Sequence, residues 1–194
     1  IYSKDGVLLK DIKILLRPFE TKKIIFSDLD LNADYGFFYA FHQFKEVRIL
    51  EQQKSFVTER GYAGYSDNSY FWQFVHGNHN AAYLSENNNI NSLMTSSLFI
   101  NDYYPQLNFN DCIKFDLVIS NSDNKNVKIK INFYNENKTL IYSQKYNLNP
   151  LSIKRIEINN RNSEIKNIRL YSRLCFPRPL IFKYYNKYFD VLHG

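Results

Sequence analysis

Apolar and polar residues alternate with a period of two along much of the chain, most clearly in VKIKINFY at 127–134. There Val127, Ile129, Ile131 and Phe133 fall on one side of an extended chain, and Lys128, Lys130 and Asn132 on the other. That is the pattern of a strand with one buried face. The pattern predicts further strands at 113–120, 140–146, 152–158, 168–174, 180–184 and 189–193, with 113–120 and 127–134 paired through NSDNKN. Turn signals recur every 8–12 residues or so, the spacing of a sandwich or barrel.

The first half reads less regularly. Asp5-Gly6 is a tight-turn signal, because glycine tolerates the positive φ that a primed hairpin turn needs. A long strand is predicted over Val7–Leu16, ended by Pro18, and a short one over Lys23–Phe26. Tyr35–Phe44 is almost continuously apolar, as expected of a strand buried on both faces. Tyr62–Tyr65 and Phe71–His76 flank Ser66-Asp67-Asn68-Ser69, a hairpin turn. Residues 85–92 read as a polar loop, and only 45–54 offer a short helix. The fold class expected is all-β.

Sliding residues 1–41 over 133–173 needs no gap. It lays Tyr2 on Tyr134, Leu8 on Leu140, Lys13 on Lys145, Leu16 on Leu148 and Pro18 on Pro150. Lys22, Ile24 and Tyr39 likewise meet Lys154, Ile156 and Tyr171. After an insertion, Arg60, His76 and Gly77 fall on Arg178, His193 and Gly194, so FWQFVHG is echoed by YFDVLHG. The architecture expected is an antiparallel β-sandwich built from two internally repeated units. The first spans 1–84, a connecting loop and strand spans 85–107, and the second repeat spans 108–194. The second unit has strands ahead of its turn that the first lacks. Those strands either lie upstream of Ile1, the reading preferred here, or are shared in 93–132.

Composition supports this picture. Hydrophobic residues make up 44% of the 194 and aromatics 17%, with Tyr and Phe at 16 each, so a core is affordable and strands are favoured. The formal net charge of +6 reads as a solvated surface, with an anionic ligand such as an acidic polysaccharide left open; no nucleic-acid motif accompanies it. Cys112 and Cys175 read as buried free thiols rather than a disulfide. There is no transmembrane run of apolar residues. The chain opens in what reads as a strand end, and its single Met is Met94, which points to a mature product or part of a longer one; localisation is left unknown.

Candidate chemistry gathers in 60–80. The aromatics around Trp72, with polar neighbours, suit stacking on sugar rings. The proposed ligand-binding residues are Arg60, Tyr65, Trp72, His76, Asn78 and His79, with Arg178 and His193 as repeat equivalents. An Arg and a His from one unit also suit a carboxylate or sulfate. His76 and His79 have H-x-x-H spacing, which makes a divalent metal the alternative, with His42, His193, Asp67 or Glu59 as candidate third ligands, none of them fixed by the sequence. No nucleophile motif is present and no catalytic residue is assigned. Asn137-Lys138-Thr139 is a glycosylation sequon at a turn. Three functions follow from these readings: a non-catalytic binding or accessory protein for carbohydrate or another anionic ligand, a metal-dependent enzyme using a His cluster, and a structural or assembly subunit. The first is preferred.

Overall fold

The computed structural model describes residues 1–40, 62–67, 71–76, 82–84, 90–92, 101–103, 112–121, 123–159, 164–172 and 178–193. The described chain is all-β, and its sheets are antiparallel. The predicted helix at 45–54 and Cys175 lie outside the described residues, as do Arg60, Asn78 and His79.

The strands are β1 (Tyr2–Ser3), β2 (Gly36–Phe37), β3 (Tyr62–Ser66), β4 (Trp72–His76), β5 (Ala82–Leu84), β6 (Ile90–Ser92) and β7 (Asn101–Tyr103). Then come β8 (Lys114–Ser120), β9 (Val127–Tyr134), β10 (Leu140–Leu148), β11 (Ile153–Asn159), β12 (Asn167–Ser172), β13 (Leu180–Tyr184) and β14 (Phe189–His193). Two four-stranded sheets dominate, ordered β10-β9-β12-β7 and β11-β8-β13-β14. Hairpins β3–β4 and β5–β6 and the short pair β1–β2 form separate two-stranded sheets.

Asn132, on the predicted polar face of β9, is buried, but the apolar face is as expected, with Val127, Ile129, Ile131 and Phe133 buried too. Phe115, Leu117 and Ile119 of β8, Ile158 of β11, Leu148 of β10, Ile168 and Leu170 of β12 and Ile181 of β13 join them in one cluster. Both four-stranded sheets therefore contribute to a single core, and each large aliphatic side chain buried there is worth about 1.5–3 kcal/mol.

The expected pairing of 113–120 with 127–134 is corrected. β8 and β9 lie in different sheets, and the NSDNKN segment carries the chain from one to the other. A hairpin would have placed both apolar faces on one side of one sheet, with nothing in the other to cover them. The crossing is held by the buried Asn121, whose Nδ2 donates to the carbonyls of Lys125 at 2.7 Å, Asn149 at 2.8 Å and Leu148 at 3.3 Å. A turn signal identifies a reversal but does not say whether the chain returns to the same sheet.

Residues 7–35 also differ from expectation. Val7–Leu16 forms no strand beyond an isolated bridge from Leu8 to Tyr2, and Phe26–Leu29 is a single 3₁₀ turn. The aromatic stretch is extended in β2 only at Gly36–Phe37; residues 41–44 lie outside the described set. A strand exists only where a neighbour takes its N–H and C=O groups, and among the described residues the only backbone partner of 9–17 outside that stretch's own turns is Ile1, which bonds Leu9 and Lys10.

The turns of the two aligned segments nevertheless match closely. Among the described residues, four of the five with positive φ fall in aligned pairs: Gly6 (84°) with Lys138 (60°), and Phe19 (63°) with Leu151 (53°). The amide of Gly6 donates to the Ser3 carbonyl at 3.1 Å, and that of Lys138 to the Asn135 carbonyl at 3.0 Å. Ser3 donates to the Val7 carbonyl at 2.8 Å and Asn135 to that of Thr139 at 3.0 Å. The side chains of Ser3 and Asn135 accept from Val7 and Thr139 in turn. After each proline, Glu20 donates to Arg17 at 3.0 Å and Ser152 to Asn149 at 3.3 Å.

Candidate functional site

Hairpin β3–β4 carries most of the candidate residues that are described. Its register pairs Tyr62 with His76, Gly64 with Phe74 and Ser66 with Trp72 on one face, and Ala63 with Val75 and Tyr65 with Gln73 on the other. Val75 is buried, and Tyr65 meets Phe182 of β13 edge-on, with ring centroids 5.0 Å apart. Burial pushes the Tyr65 hydroxyl above its ordinary pKa. This face docks the hairpin on the β11-β8-β13-β14 sheet, so Tyr65 is separated from Trp72 by the pleat.

The opposite face is open. Trp72 is 48% exposed, Phe74 63% and Tyr62 76%. The Trp72 and Phe74 rings are nearly parallel, tilted by 20° with centroids 6.2 Å apart. Gly64 makes this possible: a Cβ there would come within 2.8 Å of Phe74 Cε1 and 3.2 Å of Trp72 Cε3. Lys23 places its ammonium 5.2 Å from the Trp72 ring centroid. Phe74 could have been found from the sequence by its i+2 spacing from Trp72. Gly64 and Lys23 could not, because their roles depend on register and on a distant segment.

The two histidines aligned by the repeat meet in space. The His76 and His193 rings lie 4.7 Å apart, tilted by 33°. His193 Nε2 lies 2.7 Å from the His76 carbonyl oxygen, which can only accept, so Nε2 carries the hydrogen. His193 Nδ1 is then buried without a hydrogen-bond partner. Burial pulls the His193 pKa below 6.5, the hydrogen bond to His76 opposes this, and the His76 and Arg178 charges reinforce it. Arg178 is therefore within electrostatic reach of His193. Among the described residues no three His, Cys, Asp or Glu side chains gather as a metal would require.

The pH dependence follows from the sign of that shift. The folded protein takes a proton at His193 less readily than the unfolded chain, whose imidazole titrates near 6.5. The stability this contributes is whole above that value and declines as pH falls from it towards the folded-state pKa. The facing groups are His76 and Arg178, so protonation places a positive charge near the Arg178 guanidinium, on a nitrogen with no hydrogen-bond partner. The urea midpoint should drop between neutral pH and about pH 5, and His193→Gln should remove part of that drop.

A second polar cluster, absent from the sequence reading, lies on the same sheet. Asp116 is 1% exposed; Arg155 donates to its Oδ2 through Nε at 2.8 Å and through Nη2 at 2.5 Å. Tyr184 lies beside it, and burial first, then the Asp116 charge, pushes its hydroxyl up to about 12. Lys114 pairs with Glu157 at 3.1 Å and sits 4.8 Å from the Tyr184 ring centroid. Asp116 and Arg155 are 39 residues apart, so only the β8–β11 register brings them together. The guanidinium neutralises the carboxylate, which makes this a structural pair.

No family model, curated protein or solved structure matches this chain.

Proposed function

We propose that this protein is a non-catalytic binding module that takes a carbohydrate on the open face of the β3–β4 hairpin. One observation carries the reading: Trp72 and Phe74 are solvent-exposed, near-parallel and backed by Gly64. Flat aromatic faces left open to water are costly unless they serve a contact, and the C–H face of a sugar ring complements them. Lys23 over Trp72, with Arg178 beside the histidine pair, favours a sugar bearing a negative charge.

The architecture in this reading is a β-sandwich with a tandem duplication. The shared core of the two four-stranded sheets supports the sandwich. The matched hydrogen bonds and positive-φ residues around Gly6 and Lys138, and around Phe19 and Leu151, support the duplication.

Affinity electrophoresis through gels containing neutral or uronic-acid polysaccharides tests the function. The wild type should be retarded, most by the acidic polymer. Trp72→Ala and Phe74→Ala should each weaken binding about tenfold, the scale of one aromatic contact of about 1.4 kcal/mol. Lys23→Ala should reduce the preference for the acidic polymer. Retardation by none of the gels, or variants that migrate as the wild type does, would overturn the reading.

A further inference from the structure

The duplication also accounts for the exposed apolar side chains between residues 7 and 38. The alignment lays Leu16 on Leu148, Phe26 on Ile158 and Phe38 on Leu170. Each pair is apolar in both members, but the surroundings are opposite. Leu148, Ile158 and Leu170 are 4%, 2% and 0% exposed, whereas Leu16, Phe26 and Phe38 are 49%, 41% and 45% exposed. Ile24 repeats the contrast, being exposed where its counterpart Ile156 packs on the core.

The difference lies in what faces these residues. In the second segment β10 pairs with β9 and β11 with β8, and the inward side chains of β8 and β9 fill the space between the sheets. The first segment has stretches corresponding to β10 and β11, but among the described residues the chain at Ile1 and Tyr2 reaches the first of them only at 8–10, and no strand pairs with the second. The bridge between Tyr2 and Leu8 corresponds to the pairing of Tyr134 with Leu140. Tyr134 is the last residue of β9, so β1 occupies the position of the end of a β9-like strand.

We infer that residues 7–38 form an acceptor face for a two-strand segment of the β8–β9 kind. This rests on the duplication reading. Its occupant is a polypeptide with Val, Ile, Leu or Phe at alternate inward positions, one strand adding beside 8–16 and the other beside 21–27. Strand addition would satisfy the open backbone groups of the acceptor while the alternating side chains cover Leu16, Ile24, Phe26 and Phe38.

The test places the sequence of residues 112–132 directly ahead of Ile1 of the full chain, in the register that the alignment defines. Binding of the apolar dye ANS should fall several-fold, the melting temperature should rise, and amide protection should appear across 8–16. A control fusion with Phe115, Leu117, Ile119, Val127, Ile129 and Ile131 of the added copy changed to Ser should do none of this. Leu16→Asp should be tolerated in the unfused chain and should cancel the gain in the fusion. An unchanged dye signal, a control that performs equally well, or self-association of the unfused chain that hides the same face would each overturn the inference. If the fusion does not fold, displacement of ANS by a peptide of residues 112–134 added in trans decides in its place. The φ angles of Phe19 and Leu151, measured from NMR couplings, report on the duplication separately. A failed acceptor with both angles positive therefore leaves the repeat standing.

Discussion

Replacing Phe133 with alanine is expected to lower the unfolding free energy by about 3–5 kcal/mol. Phe133 is fully buried in β9, stacks on Tyr142 with ring centroids 4.3 Å apart, and belongs to the cluster supplied by both large sheets. Removing its ring opens a cavity that two sheets held by their own hydrogen bonds close only partly, so the transfer and cavity costs add. The aligned leucines sharpen the test. Leu148→Ala should cost about 2–4 kcal/mol, while Leu16→Ala should stay within about 0.5 kcal/mol, as an exposed side chain does. Urea titrations with an unchanged slope would measure all three. Equal costs at Leu16 and Leu148 would mean that something covers the first position as fully as the second.

Arg155→Ala should cost about 2–3 kcal/mol of stability. It leaves the Asp116 carboxylate buried on its sheet beside Tyr184 without the guanidinium that neutralises it. Breaking a wholly buried pair typically costs about 3–5 kcal/mol. The figure is reduced here because the Arg155 side chain is 43% exposed, and water shares its charge. Changing both partners to apolar residues, Asp116→Leu with Arg155→Met, should recover most of the loss, because the penalty comes from the orphaned charge rather than from a missing attraction. Thermal melts of the two single variants and the double variant decide this. If Arg155→Ala melts with the wild type, the carboxylate has another partner.

The sequence was most legible where one strand has one buried face. In β9 a period of two is enough to sort Val127, Ile129, Ile131 and Phe133 from Lys128 and Lys130, since the side-chain direction of a strand is set by parity alone. The turns were equally readable: Asp5-Gly6 and Pro18 mark local backbone demands, and their aligned counterparts make the same hydrogen bonds. Within the candidate site, the shared face of Trp72 and Phe74 followed from their spacing, but which face would be open did not. Phe182 decides that by receiving Tyr65 on the other side. The expected strand at Val7–Leu16 failed for a related reason, because an apolar alternation states a capacity to pair and cannot supply the neighbour.

The sequence by itself determined the β character of the chain, the strand content of 113–193, the inward residues of β9 and the recurrence of an Arg and an HG pair. These depend on local backbone preference and on parity, both carried within a few residues. Only the tertiary structure decided that β8 and β9 belong to different sheets, that Arg155 neutralises Asp116, and that the rings of His76 and His193 meet. Each of these joins residues far apart in the chain, and the geometry that brings them together comes from sheet register and the packing of one layer on another.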